Sequence, residues 1–245
     1  MSFERVPAGT GIGAEPGPTP GPPEVVASSG ISPAMRLQIL STEHWSLLAS
    51  RSLAWNESFS RAGMFLSALS AAIVTLALVS QASDFGDAFA WFALLILPVV
   101  LIIGIGTYVR GGRSNHHDAI CVAGMNRIRA AYLELAPDLE RYFVTSGHDD
   151  PRGIAISMGS EPGGSVRVME LLSATGMMIA ILNAVVAAVI VALSGLQVGA
   201  ETPVAVGIGV FGFVAAMALQ VRYATISISR VVKRYHPLFP SPDGD

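Results

Sequence analysis

The sequence predicts an all-α membrane protein: four transmembrane helices in two hairpins, with cytoplasmic helical extensions. Three observations lead there. Of the 245 residues, 51% are apolar and 13% charged, where soluble domains carry roughly 25% charged residues. Four segments, residues 63–82, 89–109, 171–193 and 204–221, contain no Asp, Glu, Lys, Arg or His. Each is close to the ~20 helical residues that cross a hydrocarbon layer of about 30 Å. Finally, none of the 15 Lys+Arg falls in the short loops 83–88 and 194–203. They cluster before the first span, between the hairpins and after the last span. The positive-inside rule then places both termini and the central region in the cytoplasm, in a multi-pass protein of the inner (plasma) membrane.

The elements follow in order. Residues 1–32, with "GAEPGPTPGPPE", form a Pro/Gly-rich tail that cannot bury enough apolar surface to order itself. The tail has no apolar leader core, so the first span is expected to double as a signal anchor. Ser32-Pro33 reads as a helix start, with proline at the first helical position. Over residues 33–62 the pattern predicts a cytoplasmic helix that runs into the first span. Its expected apolar face is Trp45, Leu48, Ser52, Trp55, Phe59, Ala62 and Leu66, spaced by threes and fours. Residues 63–109 are the first hairpin. Pro98 sits in the middle of its second span, where it should kink the helix or free a carbonyl.

Residues 110–170 form the central cytoplasmic region. Cys121, Met125, Ile128, Tyr132, Leu135, Leu139 and Tyr142 repeat a four-three spacing, a coiled-coil-like seam suited to assembly within or between chains. Asn115 is the expected cap of that helix, Asp118 favours its positive end, and Pro137 should bend or restart it. Residues 145–166 read as an irregular connector. The second hairpin, 171–221, carries Gly176, Ala180, Ala184, Ala188 and Ala192 at four-residue spacing, a face that lets another helix approach closely. A shorter version runs through Gly63, Ser67 and Ala71. Asn183 lies mid-span and needs a polar partner, from a neighbouring helix or along a pore. Residues 222–245 are a short basic helix ending at His236-Pro237, then a polar tail.

Residues carrying chemistry are few. His116, His117, Asp118 and Cys121 lie within six positions, and His117 and Cys121 share a helix face. Zinc needs three or four ligands, and no CxxC or HExxH pattern supplies the others. Adjacent Asp149 and Asp150 in "HDDPRG" read as turn chemistry. "EPGGS" lacks the lysine of a phosphate loop. No nucleophile elbow, dinucleotide fingerprint or kinase signature is present, so no cofactor or metal is expected. Basic residues follow the membrane boundary, which argues against nucleic acid. The spans hold no charged residue, which disfavours proton relays, voltage sensors and ion-coupled transport.

The block from "STEHWSLLASRSLAWNESFSRAGMFLSALSAAIVTLALV" through "MNRIRAAYLELAPDLERYF" resembles a group of actinobacterial multi-span membrane proteins of unknown function. An Arg-flanked helix entering a two-span hairpin, then a cytoplasmic helix, is also similar in shape to SLATT-type membrane domains, proposed pore-forming effectors of bacterial conflict. The chain departs from that pattern by its second hairpin and its lack of a fused sensor domain. The residues themselves suggest a non-enzymatic protein of the bilayer that acts by self-assembly or by binding a membrane partner, as scaffold or accessory subunit. An oligomeric pore near Asn183 or Pro98 is the alternative. A membrane enzyme with a cytoplasmic site at residues 116–121 is the minor one.

Overall fold

A computed structural model of the chain describes residues 30–159 and 175–242. The tail before them and residues 160–174, with "EPGGS" and the first residues of the third span, lie outside. The described residues are all-helical: α1 (Pro33–Ser83), α2 (Asp87–Leu135), a 3-10 turn (Pro137–Tyr142), α3 (Pro151–Ser157), α4 (Thr175–Gln197) and α5 (Thr202–Arg234). Of these, α1, α2, α4 and α5 are long and apolar enough to cross a membrane. The chain is an all-α, multi-pass integral membrane protein. Its outward side chains fit that environment, since Leu95, Ile102 and Phe211 are each about 70% exposed and lipid covers such a surface favourably where water does not.

Both helices of the first hairpin run far past the bilayer. Ser32 Oγ accepts from the Met35 amide at 3.2 Å, and Pro33 sits where its missing N–H is harmless. From there α1 continues for 51 residues without a break, some 76 Å at the helical rise. It stops at Asp84 and Phe85, both left-handed (φ 49° and 56°), which with Gly86 turn the chain into α2. α2 passes through Pro98 and on to Leu135. Asn115, the expected cap, is therefore inside a continuous helix. The reason is tertiary: α1 packs along α2 beyond the membrane, and Ser114 Oγ donates to the Ala54 carbonyl at 3.1 Å. Pro137 ends α2 and opens the 3-10 turn.

One buried stripe runs the length of α2: Ala90, Ala93, Leu97, Val100, Gly104, Thr107, Asp118, Cys121, Met125 and Ile128. The steps are three or four residues, with one of eleven (three turns) from Thr107 to Asp118, which keeps them on one face, so the seam past residue 121 continues a stripe begun in the membrane. The facing stripe on α1 shares Ala62 with the expected one and otherwise differs from it. Ala62, Phe65, Leu69 and Ala72 are buried, and His44, Leu47, Arg51 and Ala54 are half-buried. Trp45, Leu48 and Phe59 point outward, one position or about 100° away, while Trp55 lies at the edge of the stripe and reaches α2 with its indole nitrogen.

The helices lie in the order α1, α2, α4, α5, each packed on the next, with α5 touching α2 only sparsely. The core sits in the membrane half, around Phe65, Ala93, Leu97, Val100, Ile179 and Val186. At the other end, the expected irregular connector holds α3, capped by Asp150, whose side chain accepts from the Gly153 amide. The basic helix after residue 222 is the continuation of α5.

Candidate functional site

Polar groups gather at three places. The first is within the spans. Asn183 on α4 is 1% exposed, and its Nδ2 donates to Gln220 Oε1 on α5 at 3.3 Å. Gln220 Nε2 donates in turn to the Ala180 and Ala216 carbonyls, at 3.1 and 3.2 Å. The Tyr108 hydroxyl of α2 donates to the Gln220 carbonyl at 3.0 Å. Three helices thus meet at one amide pair. Asn183 Oδ1 has no partner among the described residues and lies against Gly104 of α2. A β-carbon built at Gly104 would fall 1.9 Å from it and 2.6 Å from Phe65 Cε2.

The small-residue face of α4 meets glycines of α5. A β-carbon at Gly209 would come within 3.1 Å of Ala192 Cβ and 3.3 Å of the Ala188 carbonyl. Ala180 and Ala184 are buried, whereas Gly176 has open space around it. Gly63, Ser67 and Ala71 face outward on α1. Pro98 is half-buried within α2. Gln220 escaped the sequence reading because a lone glutamine in an apolar segment reads as noise; its signal was a second amide opposite Asn183 across the hairpin. Replacing Asn183 by leucine is expected to remove about 1 kcal/mol of stability. Adding Gln220→Leu should then lose less than the sum, measurable as coupling in a double-mutant cycle in bicelles.

The second cluster joins the extensions. Asp118 is buried, and both of its oxygens accept from Arg51, Nε to Oδ1 and Nη2 to Oδ2. Trp55 Nε1 also donates to Oδ1, at 3.1 Å. Next to it, His117 Nε2 lies 3.0 Å from Ser50 Oγ and 3.6 Å from Cys121 Sγ. Burial, then the neighbouring Asp118 carboxylate, push the Cys121 thiol up, which keeps it from being the thiolate a nucleophile requires. Among the described residues, no three His, Cys, Asp or Glu side chains gather to hold a metal. Met125 and Ile128 are buried farther along, Tyr132 is half-buried, and Leu135 and Leu139 are exposed. Closer to the membrane, Glu57 accepts from Arg61 Nε and from Arg110 Nε and Nη2, at 2.7–3.0 Å. Those bonds hold its carboxyl below the usual range, Arg110 foremost.

The third cluster ties the connector to the chain's end. Asp149 is fully buried. Its carboxylate accepts from Arg127 Nε (2.7 Å), the Tyr235 hydroxyl (3.1 Å) and the amides of Leu238 (3.0 Å) and Phe239 (2.8 Å). Its own amide donates to the Phe239 carbonyl. Burial pushes its pKa upward, but those donors outweigh burial and leave it lowered. Asp150 accepts from Ser241 Oγ at 2.7 Å. Behind them Asn126, also fully buried, donates to the His148 and Gly153 carbonyls and accepts from Arg129 and Ser157. An open cleft of about 530 Å³ between Leu133, Phe143, His148 and Phe239 borders this cluster. "HDDPRG" had shown turn chemistry; only a contact 90 residues away reveals Asp149 as a socket. Compared with known protein families, with curated proteins and with solved structures, the chain matches none.

Proposed function

We propose that this integral membrane protein is a non-catalytic scaffold or accessory subunit that acts by association, with copies of itself in the first instance. Its expected place is the plasma membrane, with both termini and the helical extensions in the cytoplasm. One observation carries this reading. The apolar stripe of α2 is already buried against α1 within the chain, yet the α1 extension keeps a second, uncovered apolar face. Trp45 is 67% exposed and Phe59 56%, on one outward side of the helix. Trp45 stands sixteen residues before Arg61, roughly 24 Å along the helix, beyond the reach of head groups at that boundary. An apolar surface of this kind outside lipid marks an interaction site. The outward Gly63, Ser67 and Ala71 would continue the contact into the membrane.

The experiment is the mass of the protein in lipid nanodiscs. The wild type should run at a multiple of 25.6 kDa, and the double substitution Trp45→Glu/Leu48→Glu should fall to the monomer. A monomeric wild type would overturn self-association. A closed ring of four or more copies would instead favour a pore between copies, the function that the likeness to SLATT-type domains suggests.

A further inference from the structure

We propose that residues 235–241 are a releasable strap: seated on Asp149, they lock the extension end of α5 to α2, and without that seat the end of α5 is free. The geometry separates this segment from the rest of the fold. It follows α5 directly and crosses to the other hairpin, where none of its side chains is fully buried. Leu238 is 62% exposed, and His236, Pro237 and Pro240 are exposed as well. The attachment is instead a set of directed bonds to two carboxylates. The Tyr235 hydroxyl and the amides of Leu238 and Phe239 reach Asp149, and Ser241 Oγ reaches Asp150.

Those carboxylates lie on the connector that leads into the second hairpin. Asp149 is in turn held by Arg127 of α2, whose Nη2 also donates to the Tyr235 hydroxyl at 3.2 Å and whose guanidinium lies 5.8 Å from the Tyr235 ring centre. One side chain therefore joins α2, the connector and the tail. Elsewhere α5 reaches the first hairpin through Tyr108, which bonds Gln220 and meets the Tyr223 ring at 6.4 Å. A segment fixed by charge-assisted hydrogen bonds rather than by apolar burial can leave without opening a core. Such a segment suits a tail that a competing extended peptide displaces.

Hydrogen exchange on the full-length protein in nanodiscs tests this. Tyr235→Phe removes one hydroxyl and should speed exchange at the Leu238 and Phe239 amides by about fivefold. Asp149→Asn removes the shared charge and should speed it by roughly a hundredfold. In both variants the α2 amides from 121 to 128 should keep their wild-type protection. Unchanged exchange at 238 and 239 would overturn the proposal, because the segment would then be held by something other than Asp149. Loss of protection in α2 alongside the tail would also overturn it, because the socket would then be part of the fold rather than the seat of a strap.

Discussion

Replacing Gly104 by leucine is expected to separate the two hairpins. Gly104 is where α2, α4 and the Phe65 ring of α1 come closest. The first added carbon would sit 1.9 Å from Asn183 Oδ1 and 2.6 Å from the Phe65 ring. Asn183 and Phe65 are almost completely buried, so neither has free space to enter. Overpacking in a close-packed interior typically costs 1–3 kcal/mol. Here it would also break the Asn183–Gln220 contact, worth about 1 kcal/mol more. A combined loss of about 3 kcal/mol or more is expected in reversible unfolding by denaturing detergent. Gly106 is the control, because a β-carbon there meets nothing within 4 Å. Gly106→Leu should stay within about 1 kcal/mol of the wild type. Equal losses at the two positions would show that glycine content, not the meeting point, matters.

The second large effect is expected at Arg51. Arg51→Leu leaves the Asp118 carboxylate buried between helices, with Trp55 Nε1 as its remaining donor. Removing one partner of a buried pair typically costs 3–5 kcal/mol. The Arg51 side chain is 29% exposed, which favours the lower end, about 3 kcal/mol. The double substitution Arg51→Leu/Asp118→Leu removes the stranded charge and should recover most of that loss. By contrast, Arg110→Leu breaks an exposed pair with Glu57 and should leave the unfolding midpoint close to that of the wild type. A double variant no more stable than Arg51→Leu would mean the pair itself, and not the stranded charge, sets the energy.

How much of this was legible in the sequence depended on what kind of group did the packing. The spans were legible because lipid acts on total apolarity, which composition reports directly. Cys121, Met125 and Ile128 were legible as one face because their neighbours at that spacing are apolar too. The stripe of α1 was not. Hydropathy favoured Trp45, Leu48 and Phe59, while the side chains actually turned toward α2 include His44 and Arg51. Arg51 fits there because α2 presents Asp118 opposite, and Ser50 beside it meets His117. A polar seam looks like a solvated face until its partner is known.

Asn115 misled for a related reason. A capping residue followed by Asp118 read as a helix start, but α1 packed alongside keeps α2 continuous. The candidate sites divide in the same way. The alanine ladder and Asn183 could be seen on α4 alone, but the α5 groups they meet, Gly209 and Gln220, needed the hairpin to close. Asp149 needed the last residues of the chain.

The most direct test is whether the extensions pair within one chain. Leu47 Cδ1 lies 2.9 Å from the position of a β-carbon on Gly124. In a Cys121→Ser background, Leu47→Cys/Gly124→Cys would put two thiols side by side across α1 and α2. A short thiol cross-linker applied to the membrane-embedded protein should then give a cross-linked monomer, seen as an internal link by mass spectrometry. Coexpression of two differently tagged forms, one with each single cysteine, should give no linked product. A linked dimer of the two tagged forms would contradict the pairing described here, because it would show α1 of one copy lying against α2 of another.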